Sequence, residues 1–300
     1  MPIARALPAF TLLALLACAP ARPGIESLPA RSLDRCGVTP PPGSFAGLDL
    51  SIAVHRATST SRPSGGDVNG NGTVGEFRRS ASTDGGDSQL AAQVAAVKSL
   101  ARGVLPDARV SIVAWSGRME AARRSRPVSS VPPQIASAFA LLTSEPAEID
   151  TALDRVLARG SLGAVDLTAA VVVGVRALRE AEPPPGPRRR VMLLLSNSPT
   201  PLLGGPTLAN HRTWLGGDPN DAFVRTDPDL AVAVKQAIRQ GVTIHSFGLG
   251  LAAQAPAPHA LSATATATGG RFRAVNDPVA LDCALLTALV GGAPARSDGS

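Results

Sequence analysis

The alternation of short apolar runs with helical patterns constrains the fold of this chain more than any other feature of its sequence. Four strand-length runs rich in apolar residues lie at residues 48–54, 110–115, 191–195 and 242–247. The third run contains no polar residue, which is typical of a strand covered by helices on both faces. Between the runs, apolar residues recur at helical spacing, for example Leu90, Val94 and Val97. The pattern predicts an α/β fold: a Rossmann-like, doubly wound, mostly parallel sheet with helices on both faces.

The loops that follow the strands are the expected location of a functional site. In doubly wound sheets, ligands bind in the crevice beyond the carboxyl ends of the strands. Three loops, residues 55–87, 160–168 and 196–226, are expected to meet at that edge.

Residues 1–18 have the organisation of a signal peptide with a lipobox. Arg5 precedes an apolar stretch, residues 6–17, that is too short to span a bilayer. The stretch ends in Leu15-Leu16-Ala17-Cys18, which resembles the bacterial motif that is cut before a lipidated cysteine. The alternative is an ordinary cleaved signal with a chance cysteine. Both predict an extracytoplasmic protein, and the first predicts a lipid anchor on Cys18 in the cell membrane, or in the outer membrane if the host has one.

The rest of the chain divides into three predicted parts. Residues 19–46 are rich in Pro and Gly, as in a tether; residues 47–290 form the domain; and residues 291–300 form a disordered tail. Cys36 and Cys283 lie near the two ends of the folded region. An oxidising compartment permits a disulfide between them, and the alternative is two free thiols.

Composition and charge exclude two classes of protein. With 44% hydrophobic and 17% charged residues, the chain can bury a core, which excludes global disorder. The formal net charge is +6, but the arginines are scattered and lack interleaved aromatic residues that could stack on bases. We therefore expect no nucleic-acid partner.

Four short motifs follow or form the predicted strands. The first strand runs into Ala57-Thr58-Ser59-Thr60-Ser61, and the second loop reads Gly163-Ala164-Val165-Asp166-Leu167. The fourth strand ends in Leu195-Ser196-Asn197, and Thr268-Gly269-Gly270-Arg271-Phe272 lies near the carboxyl end. Together with the order of elements, these motifs resemble the von Willebrand factor type A (vWA) family over residues 48–290.

The resemblance implies a metal-ion-dependent adhesion site at the carboxyl edge, but several of its ligands are replaced. The family has Asp-x-Ser-x-Ser after the first strand, a threonine in the second loop and an aspartate after the fourth strand. Here Ser59 and Ser61 are kept, whereas Ala57, Val165 and Asn197 stand where the family has aspartate, threonine and aspartate. Mg²⁺ needs near-octahedral oxygen ligands that usually include carboxylate. We therefore predict a degenerate adhesion site that does not bind magnesium.

A second motif has the spacing of a calcium loop. Asp67-Val68-Asn69-Gly70-Asn71-Gly72 matches the opening of an EF-hand loop, in which alternate residues supply oxygens and a glycine allows the sharp bend. Position twelve is Arg78 instead of glutamate, so Asp84 or Asp87 would have to supply the missing carboxylates. The predicted ligands are Asp67, Asn69, Asn71, Thr73, Asp84 and Asp87. The alternative is an Asn/Gly-rich turn without metal.

The sequence favours binding over catalysis. It contains no Gly-x-Ser-x-Gly pentapeptide for a nucleophile and no His-x₃-His or cysteine pair for zinc. We predict an extracytoplasmic, lipid-anchored binding or adhesion module for a protein or peptide partner. In the third loop, Trp214 and Phe223 are the candidate partner contacts, although Trp214 could instead pack its own loop. The alternatives are an inert structural surface lipoprotein or a hydrolase that uses His211.

Overall fold

The computed structural model describes residues 28–105, 107–116, 136–163, 165–180, 186–198, 228–254 and 259–291. The strands in these ranges are β1 (Leu48–His55), β2 (Phe77–Arg78), β3 (Ala81–Ser82), β4 (Ala108–Trp115), β5 (Ala136–Thr143), β6 (Arg189–Ser196), β7 (Val242–Leu249) and β8 (Phe272–Val275). The α-helices are α1 (Gln89–Val104), α2 (Pro146–Arg159), α3 (Leu167–Glu180), α4 (Pro228–Arg239), α5 (Ala260–Ala267) and α6 (Leu281–Val290).

A six-stranded sheet in the order β5-β4-β1-β6-β7-β8 forms the centre of the molecule. Strand β5 is antiparallel to its neighbour, and every other neighbouring pair is parallel. The four runs predicted from the sequence are the four central strands. The predicted fold class, a Rossmann-like doubly wound α/β sheet, is confirmed. The antiparallel edge strand β5 was not predicted.

Helices cover both faces of the sheet because the central strands are apolar on both sides. All eight residues of β1 are buried. Leu50, Ile52 and Val54 pack with α1, α2 and α6 on one face, whereas Ala53 packs with α3, α4 and α5 on the other. The helices that connect one parallel strand to the next begin near the carboxyl edge of the sheet. Helix α2 follows antiparallel β5 and instead ends at that edge.

A buried ion network closes the opposite, amino edge. Asp49 of β1 is 1% exposed and binds the guanidinium groups of Arg109 and Arg188 at 2.9 and 2.7 Å. Burial raises the pKa of Asp49, but the hydrogen bonds and charges of the two arginines outweigh it, so that the pKa is lowered. Removing either arginine would leave a buried carboxylate with fewer partners.

Residues 28–46, the described part of the predicted tether, pack against the domain as an N-terminal strap. Leu28 and Phe45 belong to the core, and a 3₁₀ turn (Leu33–Cys36) brings Cys36 to Cys283 of α6. The two cysteines form a disulfide with a Cα–Cα distance of 5.1 Å, which confirms the predicted pairing. The apolar residues of the strap are isolated and follow no helical or strand period, so the sequence does not predict that the strap packs against the domain.

The predicted signal peptide, including Cys18, and residues 292–300 of the predicted tail lie outside the described residues. In the ranges that the structure describes, no helix is both long and apolar enough to cross a membrane.

We predict that the disulfide contributes substantially to stability, because it closes almost the whole domain into one loop. Replacing both Cys36 and Cys283 by Ser should lower the free energy of unfolding by about 2–5 kcal/mol. Urea unfolding followed by circular dichroism measures the change. Reducing the wild-type protein should produce the same loss, and an unchanged midpoint in both samples would contradict the prediction.

Candidate functional site

Loops from three parts of the chain meet at the carboxyl edge of the sheet. The amide nitrogen of Thr58, after β1, donates to the carbonyl of Gly163 at 2.9 Å, and that of Leu162 donates to the carbonyl of Arg56 at 2.6 Å. Asn197 follows β6 at the same edge. The predicted meeting of loops 55–87, 160–168 and the start of 196–226 is therefore observed. Most of the third loop, including His211, Trp214 and Phe223, lies outside the described residues.

Ser59 and Asn197 are joined by a hydrogen bond in the position where the resemblance places a metal ion. The Ser59 hydroxyl donates to Asn197 Oδ1 at 2.8 Å, and Asn197 Nδ2 donates to Gln89 Oε1 at 2.7 Å. Asn197 is 2% exposed, so both ends of its amide are satisfied inside the protein. Gln89, the first residue of α1, was not predicted, because it belongs to no motif.

The other predicted residues of the degenerate site take structural roles. Ala57 is buried, and Val165 packs against the core on the α3 face. The Ser61 hydroxyl donates to the carbonyls of Thr58 and Ser80 at 2.8 and 3.2 Å. Asp166, beside Val165, accepts from the amide of Ala169 and caps α3.

The donor set of this network does not fit Mg²⁺. Ser59 and Asn197 carry no formal charge, and Asn197 Oδ1 already accepts a hydrogen bond from the Ser59 hydroxyl. A magnesium site in proteins ordinarily includes at least one carboxylate. Ser59 and Asn197 therefore do not supply the ligands that a magnesium ion requires.

His55 lies under the network and positions Asn197. Its Nδ1 accepts a hydrogen bond from the backbone amide of Asn197 at 3.3 Å, and its ring stacks on Trp115 with centroids 4.1 Å apart. The side-chain amide of Gln93 accepts from the His55 backbone N–H and donates to the His55 carbonyl. Burial lowers the pKa of His55 to about 3, so the ring is neutral and Nε2 carries the proton. Among the described residues, neither His55 Nε2 nor Trp115 Nε1 has a hydrogen-bond partner.

In the predicted calcium loop, Asp67 and Asp84 hold the chain through hydrogen bonds. Asp67 accepts from the amides of Gly70, Asn71 and Gly72 at 2.7 to 3.1 Å. Asn69 Nδ2 and Asn71 Nδ2 both donate to Asp84 Oδ2, at 3.0 and 2.7 Å. Burial raises the pKa of Asp84, but these bonds and one from the Gly86 amide outweigh it and lower the pKa.

The remaining two predicted calcium ligands are used within the loop. Asp87 is buried and accepts from the amides of Val68 and Gly75 at 2.7 and 2.9 Å. Thr73 donates through both its amide and its hydroxyl to Asn71 Oδ1. In the described part of the chain, the one cluster of three metal-ligating acidic, histidine or cysteine side chains is Cys36, Asp282 and Cys283, in which the cysteines are bonded to each other.

Comparison with known proteins gives similarity to solved structures alone. No protein-family model and no curated protein matches the sequence. The von Willebrand factor domain of the type V pili tip protein Mfa5 from Porphyromonas gingivalis is 10% identical, with a TM-score of 0.49, over 85% of this chain and 99% of that chain. An aerotolerance-related membrane protein from Bacteroides fragilis is 11% identical, with a TM-score of 0.47, over 81% of this chain and 98% of that chain.

A von Willebrand factor type A protein from Catenulispora acidiphila is 17% identical, with a TM-score of 0.46, over 81% of this chain and 42% of that chain. This chain therefore spans less than half of that protein. At these identities and TM-scores the similarities decide nothing about function. The chain has the mostly parallel α/β sheet that apolar periodicity predicted, and Ser59 and Asn197 meet at its carboxyl edge, as the resemblance to the vWA family implies.

We expect calcium, but not magnesium, to stabilise the folded chain through the Asp67 loop. An affinity near 10⁻⁴ M and 10 mM Ca²⁺ correspond to about 3 kcal/mol of stabilisation, or about 5 °C in melting temperature. Thermal melts in EDTA, Ca²⁺ and Mg²⁺ measure the shift.

Asp84→Asn should abolish the calcium shift, whereas Asp166→Asn, which keeps a helix cap outside the loop, should retain it. A shift that survives Asp84→Asn would show that the loop is not the calcium site, and no shift at all would leave it a metal-free turn. An equal shift with Mg²⁺ would contradict the predicted loss of the magnesium adhesion site.

We predict that His55 makes the fold sensitive to mild acid. Since its folded-state pKa lies near 3 and the ordinary value is 6.5, the unfolded chain binds more protons between these values. The contribution of neutral His55 to the free energy of unfolding is therefore complete above pH 6.5. It is lost as the pH falls, by about 2 kcal/mol at pH 5.

Urea unfolding at pH 7 and pH 5 measures this loss in wild type and in His55→Gln. The variant should lose about 2 kcal/mol less than wild type between the two pH values. His245, whose pKa burial lowers to about 4, is present in both proteins and cancels in the difference. Equal losses in both proteins would assign the acid sensitivity to other groups.

Proposed function

We propose that this chain is a non-catalytic binding module that holds a protein or peptide partner on the carboxyl edge of its sheet, outside the cytoplasm and anchored through Cys18. The observation that carries the proposal is an exposed apolar surface beside the Ser59–Asn197 network. We call residues 58–62, 77–82, 160–163 and Asn197 the edge surface.

Hydrogen bonds join the parts of the edge surface into one unit. Thr60 Oγ1 and Ser161 Oγ are 2.7 Å apart, and the Ser61 hydroxyl reaches Ser80 in the β2–β3 hairpin. Ser59 is tied to Asn197. A binding surface held by such contacts loses less conformational freedom when a partner binds.

Large apolar side chains are exposed on this unit. Leu162 is 61% exposed and Phe77 is 58% exposed, and Val74 in the neighbouring loop is 51% exposed. Outside this edge, the described residues that expose a large apolar side chain are Leu141, Val232 and Ile238. Exposed apolar side chains beside polar groups are typical of interaction surfaces.

The described histidines support a non-catalytic role. His55, His245 and His259 each use Nδ1 to accept a hydrogen bond from a backbone amide. All three are at most 5% exposed, and burial lowers the pKa of each. Such rings orient backbone and are poorly placed to exchange protons with a substrate.

Selection of a random dodecapeptide library against the full chain tests the proposal. Enriched peptides should bind wild type and lose about tenfold or more in affinity for a Phe77→Ser, Leu162→Ser variant, because the apolar anchors are gone. The matched control is Val232→Ser, Ile238→Ser, which removes two apolar side chains of α4 that are 48% and 46% exposed. That variant should bind within about twofold of wild type.

Two results would contradict the proposal. If no peptide is enriched above background, the alternative of an inert structural surface protein is favoured. If the enriched peptides bind the edge variant as well as the control, the binding surface lies elsewhere on the chain.

A further inference from the structure

Five arginines lie on the loops and elements that meet at the carboxyl edge, and none of them pairs with a carboxylate of the described residues. They are Arg56, Arg62, Arg78, Arg79 and Arg159. In the part of the chain that the structure describes, four arginines form ion pairs, and these five, like Arg189 and Arg190 at the amino edge, do not. Glu76, next to Phe77, is an exposed carboxylate near the group and pairs with none of them.

Arg56 is the most unusual member, because it is a buried cation that pairs with no carboxylate of the described residues. It is 5% exposed, and its Nε donates a hydrogen bond to the carbonyl of Gly160 at 3.2 Å. Burial and the nearby charge of Arg159 lower the pKa of Arg56. A buried charge next to a like charge is costly unless an anion joins it.

The β2–β3 hairpin presents the exposed arginines beside the edge. Its two turn residues, Arg79 and Ser80, have φ angles of 47° and 75°, in the left-handed region where Asn-Gly is usual. Non-glycine residues in this region are strained, and such strain often accompanies a functional site. The Ser61 hydroxyl holds this turn against the edge surface, and the Arg62 guanidinium lies 5.7 Å from the Phe77 ring centroid.

We infer that the partner of the edge surface is an acidic peptide segment, whose carboxylates bind these arginines while its apolar side chains contact Phe77 and Leu162. The inference rests on the proposed function and adds the chemical class of the partner. Guanidinium groups bind carboxylates through two parallel hydrogen bonds. Exposed Phe77 lies next to Arg78 in the chain and 5.7 Å from the Arg62 guanidinium, and this pairing of apolar and cationic groups suits a peptide with acidic and apolar side chains better than a run of phosphates on nucleic acid or an anionic bilayer.

The test repeats the dodecapeptide selection on the full chain with charge variants. The edge variant is Arg62→Gln, Arg78→Gln, Arg79→Gln, in which all three side chains are exposed and folding is expected to be unaffected. The matched control is Arg179→Gln, Lys235→Gln, Arg239→Gln, which removes the same charge from the exposed surface of α3 and α4.

Peptides enriched on wild type and on the control should contain Asp and Glu about threefold above the unselected library, and those enriched on the edge variant should not. Individual peptides should bind the edge variant about tenfold or more weakly, and binding to wild type should weaken about tenfold between 50 and 300 mM salt. Changing the acidic residues of a peptide to their amides should cause the same loss.

Arg56→Gln and Arg56→Lys test the buried cation separately. The Gln variant should bind the enriched peptides at least about tenfold more weakly than wild type, and the Lys variant, which keeps the charge, should retain more of the affinity. Equal losses in both would contradict a role for the charge of Arg56.

The inference and the proposed function can fail separately. If enriched peptides depend on Phe77 and Leu162 but are not acidic and do not respond to the arginine substitutions, the partner is not acidic and the binding module remains. If phosphatidylglycerol vesicles or single-stranded DNA bind with the same dependence on the three arginines and no peptide does, the surface recognises phosphate and the inference is overturned.

Discussion

Strand β1 lies between two parallel neighbours, β4 and β6, and hydrogen-bonds to both along almost its whole length. Its eight residues are buried, so its position is determined by ladders on two sides and by helices on two faces. Because all three strands run in the same direction, the chain leaves each of them at the same edge. His55, Arg56 and Ser59 therefore emerge next to Asn197, although about 140 residues separate them in the sequence. Every feature of the candidate site depends on this ladder.

The edge that results combines a neutral interior with arginines that no carboxylate of the described residues neutralises. Ser59, Asn197 and Gln89 satisfy one another's polar groups, and His55 supports them from below as a neutral ring. Hydrogen bonds of this kind contribute about 1 kcal/mol each, and together they hold the loops in place. Amides and hydroxyls thus organise the surface, and the proposed role of the guanidinium groups is to bind a partner.

The N-terminal strap connects this edge to the far end of the chain. Arg31 donates to the carbonyls of Asp67 and Val68 in the Asp67 loop and to that of Val279 before α6. The Cys36–Cys283 disulfide joins the strap to α6 itself, and Arg35 adds an ion pair with buried Asp282. The loop beside the edge surface is therefore held by residues from both ends of the domain, because the strap lies across α1 where those ends meet.

The sequence by itself determined the sheet, its helical layers and the edge at which the site lies. These features follow from apolar periodicity, which is local and strong in the four central strands. Because the strands are parallel, the motifs that contain Ser59 and Asn197 lie at the same edge of the sheet. The pairing of Cys36 with Cys283 was one of two alternatives in the sequence, and the fold selected it by bringing the strap to α6. The edge strand β5, half exposed and antiparallel, has no such periodicity and was missed.

Only the tertiary structure decided which polar residues act together. Gln89 and His55 belong to no motif, yet both contact Asn197 because α1 packs on β1. Gln89 accepts a hydrogen bond from the Asn197 side chain, and His55 accepts one from its backbone amide. The arginines of the edge are scattered through the sequence, and they form a group only because the hairpin is docked by Ser61 and the Gly160 loop meets the end of β1. Hydrogen bonds and charge interactions between side chains depend on distances across the fold, and sequence periodicity does not predict those distances.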